Sequence, residues 1–193
     1  MDADLRKRRV LTFAVGALAG VSATAVSIPF IKSLYPPSHK GPPYLDIDIS
    51  KLRDGQMFSV SWKNKPLYIL KRSQFVLDAL QNSNSELLDE DSAASIQPIE
   101  AQNPLRSIRP DIFVAWGVCT HLGCSVSHNP PGQNADIGEP FARGVWFCPC
   151  HGSVYDLAGR VYKNAPAQRN LDIPKYEFID DNTIRVGWWQ DNI

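Results

Sequence analysis

Every cysteine in the 193-residue chain lies in one of two short segments, Cys119-Thr120-His121-Leu122-Gly123-Cys124 and Cys148-Pro149-Cys150-His151-Gly152-Ser153. Each segment pairs a cysteine with a histidine two or three residues on and carries one further thiol. Thiolate and imidazole suit zinc or an iron-sulfur cluster, so a metal centre is the first expectation. A structural zinc site more often presents its cysteines as C-x-x-C, whereas each loop here mixes one Cys with one His. If each loop donates one ligand of each kind, one cysteine per loop is left over, and those two can close a disulfide. Two ordinary disulfides, with the histidines merely lining the loops, is the plainer reading.

The elements that must position these loops read as strands. Ile112-Phe113-Val114-Ala115-Trp116 is a buried-strand pattern that delivers Cys119, and Val145-Trp146-Phe147 feeds Cys148. Leu45, Ile47 and Ile49 alternate with polar residues, the period of a half-buried strand. Phe58 to Trp62 and Leu67 to Leu70 flank a Lys63-Asn64-Lys65-Pro66 turn, and Tyr176 to Phe178 and Ile184 to Val186 flank a second turn at Asp180-Asp181-Asn182. Ser73 is placed to cap a short helix carrying Phe75, Val76, Leu77 and Leu80. Asp89-Glu90-Asp91 reads as a solvated face. His128, without a cysteine at metal spacing, reads as exposed. Short strands with turns at these intervals predict a mainly β fold, an antiparallel sandwich or barrel.

The amino end is of another kind. Residues 1–9 form a basic end with Arg6-Lys7-Arg8-Arg9, and residues 10–31 carry no charge, long enough for one transmembrane helix. Basic residues on that side predict a cytoplasmic amino terminus. Ala23-Thr24-Ala25 offers a signal-peptidase site as the competing reading, but the apolar run continues past it. Arg8-Arg9 also resembles a twin-arginine export signal. Residues 32–45, rich in Pro and including His39 and Gly41, read as a tether, leaving 46–193 as the head. Lys plus Arg equals Asp plus Glu, so no basic surface suggests nucleic acid.

The pair C-T-H-L-G-C and C-P-C-H-G-S resembles the signature of the Rieske iron-sulfur subunits of ubiquinol-cytochrome c reductase, the cytochrome bc1 complex. The resemblance implies one [2Fe-2S] cluster per subunit, held by Cys119, His121, Cys148 and His151, with two thiolates on one iron and two imidazoles on the other. It implies a Cys124–Cys150 disulfide, which requires an oxidising compartment and hence a periplasmic head on a bacterial inner membrane. It assigns Ser153 and Tyr155 as hydroxyl donors to the cluster and His151, with His121, as the contact for quinol and its proton. It makes the head an antiparallel β-sandwich with a small cluster-binding subdomain at about 115–168, and makes Leu122 and Gly123 docking residues at the loop tip. The implied partners are cytochrome b, cytochrome c1 and ubiquinol in a dimeric complex. One departure stands out: Lys163-Asn164-Ala165-Pro166-Ala167-Gln168 has Asn and Gln where relatives often carry Gly and a second Pro, which bears on the stiffness of the loop that covers the cluster.

Two rival classes keep the same cluster. A Rieske ferredoxin or ring-hydroxylating oxygenase component usually lacks the spare cysteine pair and the anchor. A Rieske subunit of another periplasmic complex, such as an arsenite oxidase, shares both the disulfide and the export signal.

Overall fold

The computed structural model describes residues 2–35, 43–82 and 86–187. The chain divides into two units, residues 1–41 and 42–193. The first is a single helix, α1, Asp2–Leu34. Among the described residues it is the one helix long and apolar enough to cross a membrane. Several of its hydroxyls are satisfied within the helix: Thr12, Thr24 and Ser27 donate to the carbonyls of Arg8, Gly20 and Thr24. That back-bonding spares an apolar surrounding from unpaired polar groups. Residues 36–42 of the expected tether, with His39 and Gly41, lie outside the described residues.

The second unit is the β head. Its strands are β1 Tyr44–Asp48, β2 Met57–Trp62, β3 Lys65–Lys71, β4 Ile112–Trp116, β5 Ser127–Asn129, β6 Val145–Phe147, β7 Val154–Tyr155, β8 Tyr176–Asp180 and β9 Thr183–Gly187. Among the described residues they form three antiparallel sheets of three strands, ordered β1-β9-β8, β2-β3-β4 and β5-β6-β7. Ile47, Ile184 and Val186 of the first sheet share one continuous core with Leu67, Ile69, Phe113 and Val114 of the second. These residues are at most 5% exposed, and burial of that apolar surface holds the two sheets together. The first ligand loop runs from β4 to β5, joining the second sheet to the third, and the second runs from β6 to β7.

Local chemistry explains the turns. The β2–β3 hairpin closes on Lys63 and Asn64 alone, with φ of 48° and 60°, the left-handed pair that matches strand twist in a two-residue turn. Pro66 therefore sits inside β3, opposite Ser61, at a strand beginning where its missing N–H is tolerated. Helix α2, Gln74–Gln81, buries Val76 and Leu80 one turn apart, while Phe75 is exposed. Ser73 occupies its N-cap, but the hydroxyl makes no capping hydrogen bond. Asp89 corrects another expectation. It is buried, because its carboxylate accepts hydrogen bonds from the Ala94 N–H and the Ser95 hydroxyl.

Candidate metal centre

The two loops are built to one plan. In the first, the Cys119 N–H donates to the Cys124 carbonyl (2.7 Å) and the Gly123 N–H to the Cys119 carbonyl (3.0 Å). In the second, the Cys148 N–H donates to the Ser153 carbonyl (2.8 Å) and the Gly152 N–H to the Cys148 carbonyl (2.9 Å). Each turn thus needs a residue of positive φ four positions after its cysteine, supplied by Gly123 (86°) and Gly152 (79°). This Cys-x-x-x-Gly repeat is present in the sequence, and it gives Gly123 a backbone role that its docking assignment did not include. Gly117 leads into the first loop. A Cβ there would meet the Tyr68 ring at 2.3 Å, so only glycine fits.

The loops meet at their tips. Cys124 and Cys150 form a disulfide with Cα atoms 6.6 Å apart, bridging the two turns. Cys119 and Cys148 remain free and buried, 3% and 1% exposed. The sulfurs of Cys124, Cys148 and Cys150 all lie within 4.8 Å of one another. The rings of His121 and His151 stand edge to face, centroids 4.9 Å apart. His121 is half-buried and His151 exposed. Among the described residues the buried Nδ1 of His121 has no hydrogen-bond partner, an expensive state for a polar atom unless something else satisfies it.

The two free thiols sit in different electrostatic surroundings. Burial works to raise the Cys119 thiol, but hydrogen bonds from the Tyr155 hydroxyl, the His121 N–H, Cys148 and the Ser153 hydroxyl outweigh it and hold the thiol below its ordinary range. Cys148 is pushed up, first by burial and then by its neighbour Cys119. Two buried thiolates side by side repel, and a metal cation between them removes that penalty. Free thiols, an orphaned imidazole nitrogen and paired rings fit an iron-sulfur group with mixed donors.

The surrounding hydroxyls are ordered. Tyr155 is fully buried, its hydroxyl 3.2 Å from the Cys119 sulfur. The hydroxyl oxygen accepts the Thr120 N–H (3.2 Å) and lies 3.1 Å from the Thr120 hydroxyl oxygen, which itself donates to the Arg169 carbonyl (2.7 Å). Ser153, also fully buried, accepts the Ala167 N–H at 3.1 Å, so its own proton remains for the sulfur side. Leu122 is 70% exposed at the loop tip beside the exposed Gly123. Thr120 and the Ala167 N–H escaped sequence reasoning because they act through contacts distant in sequence.

His128 is a correction: it is not exposed. Pairing of β5 with β6 sets it opposite Trp146, ring centroids 4.8 Å apart, and its Nε2 is buried without a partner. Burial lowers its pKa to about 4. The unfolded chain therefore gains a proton near pH 6.5 that the folded head refuses until about pH 4. Stability from this residue is present above pH 6.5 and is lost as the pH falls towards 4. We expect His128→Phe to flatten that limb in urea titrations of the head between pH 7 and 4; parallel curves for variant and parent would refute it.

The family described as the Rieske [2Fe-2S] domain matches residues 43–177, which includes both loops and all the hydroxyls around them. The chain belongs to the Rieske [2Fe-2S] family. Within it, the chain is 42% identical over 184 residues to the ubiquinol-cytochrome c reductase iron-sulfur subunit of Allochromatium vinosum, covering 94% of this chain and 88% of that one. It is 37% identical over 188 residues to the subunit of the same name from Blastochloris viridis, covering 96% and 94%. Among solved structures it is similar to a chain of a "Hyperthermophilic respiratory Complex III", 25% identical, covering 90% of this chain and 98% of that one at a TM-score of 0.44. This Rieske chain is thus an iron-sulfur subunit of the ubiquinol-cytochrome c reductase type, and its cofactor is one [2Fe-2S] cluster. Its apolar α1 fits the membrane anchor of such a subunit.

Proposed function

We propose that Cys119, His121, Cys148 and His151 hold the cluster, and that the head accepts an electron and a proton from ubiquinol and passes the electron to a c-type cytochrome subunit. The observations that carry this are two free buried thiols hydrogen-bonded to each other and the His121–His151 ring pair, both on loops tied by the Cys124–Cys150 disulfide. When bound, a [2Fe-2S] group with two imidazole ligands supplies a one-electron acceptor of comparatively high potential. The residues of the chain do the rest. His151, exposed, offers a ring nitrogen to a quinol hydroxyl and takes its proton; His121 lies beside it, half-buried. Leu122 and Gly123 form an apolar, backbone-rich tip that can seat against cytochrome b and then cytochrome c1. Such a tip excludes water from the contact while leaving the histidines at its edge.

Ser153 and Tyr155 set the electron affinity. A hydroxyl proton aimed at a ligand sulfur stabilises the added negative charge of the reduced state, so each bond raises the potential. Ser153→Ala and Tyr155→Phe are expected to lower the midpoint potential, with the double variant close to the sum and the cluster still assembled. Unchanged potentials in both single variants would remove the tuning role.

We further propose an amino terminus on the cytoplasmic side of a bacterial inner membrane, a periplasmic head and a dimeric complex. The basic Arg6 to Arg9 run and the disulfide support that orientation. Purification from membranes tests the assignment: b-type and c-type haems should accompany the chain, with ubiquinol-dependent reduction of cytochrome c. A cluster-bearing chain that purifies without either haem would contradict it.

A further inference from the structure

The segment at 161–170 lies across both ligand loops. Its Ala167 N–H is held by Ser153 of the second loop (3.1 Å), and its Arg169 carbonyl by Thr120 of the first (2.7 Å). Yet its own chemistry is loose. Asn164 sits at φ 64°, Gln168 is exposed, and within 163–168 the side-chain bond among the described residues runs from the Gln168 amide to the Pro166 carbonyl. More stiffness must come from beyond 163–168.

It comes from residues 86–95. The Leu88 N–H donates to the Val161 carbonyl and the Lys163 N–H to the Glu86 carbonyl, both at 2.9 Å, fixing the beginning of the segment. Asn170, with no exposed surface, fixes its end. Its Oδ1 accepts the Val161 N–H (2.8 Å), and its Nδ2 donates to the Asp89 carbonyl (2.7 Å) and the Ser92 hydroxyl (2.9 Å). Its backbone N–H donates to the Ser95 hydroxyl oxygen (2.9 Å). Ser95 in turn gives its single proton to the Asp89 carboxylate, whose other oxygen holds the Ala94 N–H. The carboxylate, an acceptor only, thereby fixes the Ser95 hydroxyl with its lone pairs towards the Asn170 N–H. The positive charge of buried Arg106 acts on the same carboxylate.

We infer that Asp89, through Ser95 and Asn170, is a positioning residue that braces the 161–170 segment over the metal centre. The brace fixes Ala167 against Ser153 and so keeps the Ser153 proton turned to the ligand sulfur. This rests on the ligand assignment proposed above.

The test uses the whole membrane-extracted chain with Asp89→Ala, Ser95→Ala and Asn170→Ala, and with Glu90→Ala as an exposed neighbour for control. Loss of one hydrogen bond's worth of local stability should speed amide exchange of 163–170 roughly ten-fold in each of the three, leaving β3 and β4 at the parent rate. The loosened Ser153 should lower the equilibrium constant for one-electron reduction roughly three-fold, a fall of about 28 mV at 59 mV per decade. Acting through one chain of bonds, Asp89→Ala combined with Ser95→Ala should add little to either alone. Exchange at 163–170 equal to that of Glu90→Ala, or faster exchange with an unmoved potential, would overturn the brace. If Asp89→Ala fails to fold, Ser95→Ala, which deletes one hydroxyl, decides alone. A parent chain without iron and sulfide would sink the ligand assignment instead, and the exchange comparison would still judge the brace.

Discussion

Replacing Cys148 by serine is expected to abolish the [2Fe-2S] centre while the β head stays folded. The sulfur lies in a loop that follows β6, and its loss removes a soft, charged ligand that a neutral hydroxyl cannot replace. The core that joins the first two sheets, with Leu67, Ile69, Phe113 and Val114 all without exposed surface, does not depend on that sulfur. A head of this size buries enough apolar area to fold without a metal, unlike a zinc finger. Purified Cys148→Ser protein should therefore be colourless, contain essentially no iron or acid-labile sulfide, and keep the parent's far-UV circular dichroism. Cys119→Ser and substitutions of His121 or His151 should behave alike, whereas His128→Gln should keep its colour. Visible absorbance and iron analysis read the result. A coloured Cys148→Ser or a colourless His128→Gln would each break the proposed ligand set.

The second large effect is expected from the disulfide. Cys124 and Cys150 are 26 residues apart in sequence, and closing a loop of that length restricts the unfolded chain by about 3 to 4 kcal/mol in the chain-entropy account. Here the bond also joins the two ligand loops at their tips, so its loss acts on the site directly. Neither sulfur is a proposed ligand. Cys124→Ser should therefore assemble a cluster in the cold and lose it on warming well before the parent does, and the proportion of rhombic EPR signal surviving a temperature ramp measures this. A variant that keeps its signal as long as the parent would show that the loops hold each other without the covalent tie.

The metal centre was legible in the sequence because its chemistry is local. A cysteine, its histidine and the glycine that lets the chain turn fall within six residues, twice. The strands before each loop were legible for the same reason: Ile112 to Trp116 and Val145 to Phe147 are apolar runs leading directly to a cysteine. What was not legible depends on register between distant segments. His128 looks solvent-facing until β5 pairs with β6 and sets it against Trp146. Asp89 sits in an acidic run whose two neighbours, Glu90 and Asp91, are indeed exposed, but a turn through Ser92 (φ 55°) buries it against Asn170, 81 residues further on. No local pattern distinguishes that aspartate from the next. Likewise, nothing local marks Thr120, because its partner Arg169 lies 49 residues away.

The claim on which the function depends is that two thiolates and two imidazoles share one cluster. Pulsed EPR of the reduced protein labelled with 15N-histidine tests it most directly. The proposed ligand set predicts two distinct histidine nitrogen couplings to the electron spin. A signal without histidine nitrogen coupling, or a protein carrying zinc and no inorganic sulfide, would contradict it.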